Sequence, residues 1–180
     1  MATPIQICFE KAAASEFKSF KLAAVVCKGK VPITQTLSNN HYRQCFRDKF
    51  TKTRTFINST HAEVAAAMKL ISFCFKDYAK KQQSLKNLRR HMKKYTLYVV
   101  RSGVDDTQEE INFNDRIMKS SKPCKNCVKY LQNIGLTKVV YVDNNNHFQK
   151  VNIANWDLNK QHLSCAQRNF IEFKNNNYKC

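Results

Sequence analysis

Two short stretches hold the residues best suited to chemistry. Residues 60–64, Thr-His-Ala-Glu-Val, set the His61 imidazole two positions before the Glu63 carboxylate. Residues 122–127, Lys-Pro-Cys-Lys-Asn-Cys, set the Cys124 and Cys127 thiols three positions apart, behind a proline. One imidazole nitrogen and two thiolates form a ligand set that zinc favours, and a catalytic zinc keeps a fourth position open. At a helix N-terminus Cys124 and Cys127 point the same way, and the positive end of the helix favours their thiolates. Glu63, in the first turn of a helix that His61 opens, can reach that fourth position without ligating the metal, as a general acid/base must.

Chance weighs differently on the two stretches. In a chain of this composition an HxE arises about 0.2 times and a PCxxC about 0.006 times. A His before an Ala-rich helix is most often only a polar helix start, so the first stretch alone is weak. A redox reading of the CxxC asks for a place after the first strand of a thioredoxin-like fold, and this one follows residue 120. A structural metal site asks for a fourth ligand, and His41, Cys45, His147, His162 and Cys165 stand at no standard spacing.

The rest of the chain must position these groups. A length of 180 residues suits one domain, residues 1–180, with a sizeable core. Hydrophobic content is that of a globular protein at 43%, and three glycines with three prolines argue against an all-β architecture. No apolar run is long enough to span a bilayer, and the N-terminus lacks a signal-peptide core, so no membrane partner is expected. The other six cysteines are scattered and read as reduced packing residues of an intracellular protein.

Apolar periodicity predicts a helix over residues 5–19, a strand over 20–28, a turn at Gly29-Lys30 and a second strand over 31–37. Residues 38–60 read as a long basic connection. A helix starts at His61, with Val64, Ala67, Met68, Ile71 and Cys74 or Phe75 as its expected buried face. Residues 76–94 are the most basic stretch and read as an insertion, helical or disordered, with a thin stripe of Leu85, Leu88 and Met92. A strand over 95–101, a polar loop over 102–121, a helix over 124–134 closed by Gly135, a strand over 138–142, a fifth strand over 148–153 and a last helix over 157–173 follow. Strands alternating with helices imply a central sheet with helices on its faces.

The HxE and PCxxC in this order, with the run SKPCKNCVKYLQNIGLTKVVYVD, resemble the cytidine deaminase-like superfamily of zinc deaminases, in its dCMP deaminase and tRNA adenosine deaminase branches. The Lys- and Asn-rich character is similar to deaminase-like proteins of large DNA viruses, which would place the chain in the host-cell cytoplasm or the virion. The resemblance implies a three-layer α/β/α sandwich around a five-stranded mixed sheet. It implies hydrolytic deamination, in which zinc activates a water for attack on C4 of cytosine or C6 of adenine. His61, Cys124 and Cys127 would be the zinc ligands and Glu63 the proton shuttle. The Ala62 N–H would hold the pyrimidine carbonyl, and Asn39 or Asn40 the sugar.

Substrate choice stays open between three readings. In the first, dCMP is the substrate and Arg43, Arg47, Lys49, Lys52 or Arg54 binds its phosphate. In the second, a base flipped out of RNA or single-stranded DNA is the substrate. The formal charge of +18 and stretch 76–94 favour this one, with Tyr42, Phe46, Phe50 and Phe56 interleaved as stacking partners. For any one of those aromatics, plain packing of the loop is the simpler account. The third reading is a catalytically silent zinc fold that binds nucleic acid. Assembly into a homo-oligomer is also open, since superfamily members often assemble.

Overall fold

The computed structural model describes residues 2–15, 21–38, 60–74, 85–103 and 118–163, with the backbone of 46–47 and 54–55. Helix α1, Pro4–Ala13, starts one residue earlier than its apolar stripe suggests because Thr3 caps it. The Thr3 hydroxyl accepts from the Gln6 N–H at 3.2 Å, and Gln6 Oε1 accepts from the Thr3 N–H at 2.7 Å. It ends at Ala13, short of the expected 19, and residues 16–20 lie outside the described residues.

Strand β1, Leu22–Lys28, turns at Gly29, whose φ of 63° suits glycine, into β2, Val31–Pro32. The expected strand over 31–37 is broken. Both Ile33 and Thr34 donate to the Val26 carbonyl, and the Thr34 hydroxyl accepts from the Val26 N–H at 3.1 Å. Pairing with β1 resumes only at β3, Leu37–Ser38. Between β3 and the next helix, β4 (Phe46–Arg47) and β5 (Arg54–Thr55) form a separate two-stranded hairpin.

Helix α2, Ala62–Cys74, leads by way of undescribed residues to α3, Leu85–Met92, and then to β6, Thr96–Ser102. A short β7, Met118–Lys119, precedes α4, Lys125–Ile134, followed by β8, Lys138–Val142, and β9, Phe148–Asn152. The sheet runs β2-β1-β6-β8-β9, with β3 on β1 and β7 on β6. It is mixed: β6 and β8 are parallel, and every other pair is antiparallel. Among the described residues it therefore has seven strands, where the expectation is five. The break at 33–36 divides one expected strand in two, and β7 adds a short pair at Arg101 and Ser102, beyond the end of the β6–β8 pairing.

Alternation along β1 and β6 divides the core into two layers. Ala24, Val26, Leu97 and Val99 face α2, α3 and α4, whereas Val25, Cys27 and Val100 face Cys8 and Phe9 of α1. Cys8 and Cys27 are free, buried thiols, in keeping with a packing role. The buried face of α2 is Ala62, Glu63, Ala66, Ala67, Leu70 and Ile71, with Val64 and Met68 only partly covered. An alanine-rich helix offers two nearly equivalent faces, and contact with β1 selects the one that turns Glu63 inward.

In the basic stretch, Leu88 and Met92 are fully buried within the main core, so α3 is a packed element of the sheet's helical layer. Residues 75–84 lie outside the described residues. The last expected helix does not form in its described part. The Asp157 side chain accepts from the Asn159 N–H at 2.9 Å and closes a single 3-10 turn, Leu158–Lys160, after which Gln161 is extended. Residues 164–173 lie outside the described residues. Among the described residues no helix is long and apolar enough to cross a membrane.

Candidate metal centre

His61 immediately precedes α2, and its carbonyl accepts from the Ala65 N–H at 3.0 Å, so the imidazole is fixed at the helix mouth. Glu63 lies one turn before Ala66 and Ala67 and two turns before Leu70. It inherits the buried side of α2 and is 2% exposed. Cys124 occupies the N-cap of α4 with extended backbone, and its sulfur makes no cap bond. Asn, Asp, Ser or Thr would normally accept from the helix N–H groups there. Here the thiol turns instead toward Cys127 and His61. Cys127, one turn into the helix, starts the buried stripe that continues through Val128, Leu131 and Ile134.

The four groups converge. His61 Nδ1 lies 3.5 Å from Cys124 Sγ and 3.3 Å from Cys127 Sγ. The three donor atoms all fall within 4.8 Å of one another, and both cysteines are buried, so this group could hold a metal ion. The tie between Cys127 and Cys124 brings the Cys124 thiol down to about 4, with His61 adding to the effect. The same tie, with burial, pushes the Cys127 thiol well up. His61 is raised to about 9, chiefly by its bond to Cys124. Without metal the cluster thus holds one thiolate, one thiol and an imidazolium, and a metal must displace the two protons. Burial raises the Glu63 carboxyl, and its Oε2 is buried with no hydrogen-bond partner among the described residues.

The frame around the cluster contains groups that the sequence does not flag. Ser121, 1% exposed, ties the two parallel strands together just before the Pro123–Cys124 step. Its hydroxyl donates to the Val99 carbonyl at 2.8 Å and accepts from the Val142 N–H at 2.8 Å. Its own N–H donates to the Val142 carbonyl at 2.9 Å. Ser121→Ala leaves two buried backbone groups without this partner. It is expected to lower stability by about 1–3 kcal/mol, measured by urea denaturation. A destabilisation below about 0.5 kcal/mol would mean that the two groups find other partners.

At the mouth of α4 the Lys125 N–H donates to the His162 carbonyl at 2.9 Å, so the segment after the 3-10 turn crosses the helix N-terminus. Gln132 holds the preceding loop by bonds to the Ile153 and Trp156 carbonyls at 2.7 and 3.1 Å. Trp156 stands edge-on to Tyr141, and the Lys122 ammonium lies 5.1 Å from its ring centroid. The only hint of this in the sequence is the placing of Lys122 and Ser121 directly before Pro123.

The expected ligands His61, Cys124 and Cys127 are therefore together, with Glu63 beside them. Ala62 is buried at the start of α2. Asn39, Asn40, Arg43, Lys49 and Lys52 lie outside the described residues, as do Tyr42, Phe50 and Phe56. Arg47 and Arg54 are paired across the β4–β5 hairpin, and only their backbone is described. No family model, no curated protein and no solved structure matches this chain.

Proposed function

We propose that the chain is a zinc-dependent hydrolytic deaminase of a cytosine nucleotide such as dCMP. The observation that carries this reading is the cluster itself, one imidazole and two thiols at two helix mouths with a buried carboxyl alongside. Tetrahedral zinc, with Zn–S near 2.3 Å and Zn–N near 2.0–2.1 Å, places its nitrogen and sulfur ligands about 3.5 Å apart. The His61 to Cys124 and Cys127 separations of 3.5 and 3.3 Å suit that geometry. Zinc held there would activate water as a nucleophile at neutral pH.

The chain's own groups supply the rest. Glu63 Oε2, buried and with no hydrogen-bond partner among the described residues, takes one proton from the attacking water and passes it to the ring nitrogen, then takes the remaining proton of the added hydroxyl and passes it to the departing amino group. Burial favours the protonated form of this carboxyl, which suits its donor role toward the ring nitrogen and the departing amino group. The reaction adds water and releases ammonia. The walls of the Ala-rich helix α2 limit access of bulk water on one side of Glu63. Membership of the cytidine deaminase-like superfamily is part of this proposal, supported by the motif order and by helices on both faces of a mixed sheet.

A second reading, deamination of a base within RNA or single-stranded DNA, is favoured by the charge of +18. The test is ammonia release from cytidine, dCMP, single-stranded DNA and tRNA, with zinc content measured on the same preparation. Release from dCMP alone is the expected result. Release only from the polynucleotides replaces the first reading by the second. If no substrate gives release above that of Glu63→Ala, the enzyme reading fails and a silent zinc-binding module remains.

A further inference from the structure

We propose that the outer face of α3 is a docking surface for the backbone of single-stranded nucleic acid. Lys86 and Arg90 stand one turn apart on the exposed side of this helix, opposite the buried Leu88 and Met92, and Lys93 follows in the turn directly after it. They line, with Leu85 and Arg89, an open basin of about 410 Å³. Leu85 is 36% exposed among these cations and gives a sugar or base an apolar place to rest.

Among the described residues no carboxylate lies beside this face. Residues 85–103 contain no Asp or Glu. The carboxylates among the described residues are Glu10, Glu63, Asp143 and Asp157. Glu10 is on α1 across the sheet, Glu63 is buried at the metal cluster, Asp143 follows the far end of β8, and Asp157 caps the 3-10 turn. More positive charge gathers at the α3 end. Lys138 starts β8 opposite Thr96, and His91 is pushed down by burial and then by Lys94 and Lys28. Polyanions are the ligand class that such a concentration of cations attracts.

The face is also rigid. Gly135, with φ of 83°, closes α4, and a Cβ there would stand 2.7 Å from Arg89 Cα, so the two helices meet backbone to backbone. Arg89 Nε donates to the Asn133 carbonyl at 2.8 Å and so caps the C-terminal end of α4. Cys127 and the metal cluster are at the other end of that helix, about 12 Å away at 1.5 Å per residue. A ligand that engages both the cluster and α3 would have to span the length of α4. The surface stands on α3 alone and does not depend on the deaminase reading.

The experiment is fluorescence anisotropy of the full chain with labelled oligo(dT), across about 50 to 200 mM salt. The variant is Lys86→Ala/Arg90→Ala/Lys93→Ala. Alanine keeps the helix, and Arg89 is left in place because it caps α4. A charge-matched control, Lys11→Ala/Lys119→Ala/Lys150→Ala, removes three exposed lysines elsewhere. The α3 variant is expected to bind roughly 10- to 100-fold more weakly near 0.1 M salt, with a salt slope shallower by about 2, while the control stays within about threefold of the parent. Should the triple variant lose its helical circular dichroism, Lys86→Ala and Lys93→Ala are assayed singly, each expected to reduce the slope by about 0.7. Equal losses in the α3 variant and the control would show attraction by net charge alone and overturn the proposal. So would tighter binding of a duplex of the same length, or α3-dependent binding to anionic phosphatidylserine vesicles but not to the oligonucleotide.

Discussion

Cys127→Ala is expected to leave the purified protein with almost no zinc after dialysis, where the parent keeps about one per chain. The reason is geometric. Cys127 Sγ lies 3.3 Å from His61 Nδ1, closer than Cys124, and 1% exposure gives water little chance to take its place. Zinc at about 1,000 times its Kd raises the parent's stability by about 4 kcal/mol, and the variant gains none of this. Both proteins are compared metal-free as well, so that the loss of a buried thiol is not mistaken for the loss of metal. The pH dependence has a definite sign. At pH 7 the metal-free cluster holds a proton on Cys127, pushed well up, and one on His61, raised to about 9, while Cys124 at about 4 is already ionised. Zinc displaces both protons, so binding tightens as pH rises, by roughly 100-fold per unit around neutrality. A Cys127→Ala protein that retains stoichiometric zinc would remove Cys127 from the ligand set.

Glu63→Gln is expected to reduce ammonia release by about 10²- to 10⁴-fold with zinc content unchanged. Glutamine preserves the volume and one acceptor oxygen in the buried pocket but carries no proton to give. A second readout separates a proton shuttle from a structural carboxylate. The folded-state pKa of Glu63 is raised above its ordinary 4.5, chiefly by burial, so the native state binds its proton more firmly than the unfolded state does. This carboxyl therefore costs the metal-free fold stability as pH climbs above about 4.5, and costs nothing below both pKa values. The metal-free variant is thus expected to melt at a higher temperature than the parent at neutral pH and at a similar one in acid. A variant that melts lower at every pH, with activity retained, would mean that Glu63 serves the fold and not the reaction.

The legible elements are those whose signals are local. The PCxxC step starts α4, and Gly135, in the left-handed region that its φ of 83° requires, ends it. Gly29 marks the β1–β2 turn in the same way. Where two local choices have similar energy, the sequence is silent. The alanines of α2 fit a sheet on either side: Ala67 and Ile71 of the expected face are buried, whereas Val64 and Met68 are only partly covered and Glu63 is turned inward in their place. The strand over 31–37 is broken by a Thr34 side chain that competes for a backbone N–H of the neighbouring strand. Apolar period favours a helix after Asp157, but the Asp157 side chain and the extended Gln161 end it after one 3-10 turn. Nothing near Ser121 in the chain marks its role, because its partners are 21 and 22 positions away.

The chemical set can be read along the chain: an imidazole and a carboxyl two apart, two thiols one helical turn apart, and a large positive charge. These depend on residue type and on the period of a single helix. That His61 meets Cys124 and Cys127 across 63 and 66 positions, and that Glu63 faces the same space with an oxygen lacking a partner among the described residues, follows from the packing of the fold. That meeting depends on the parallel pairing of β6 with β8, the Ser121 bridge between them and the seating of α2 on β1. Contacts of such long range leave no periodic trace along the chain, because they are set by which strands neighbour one another and not by the spacing of residues within any one of them.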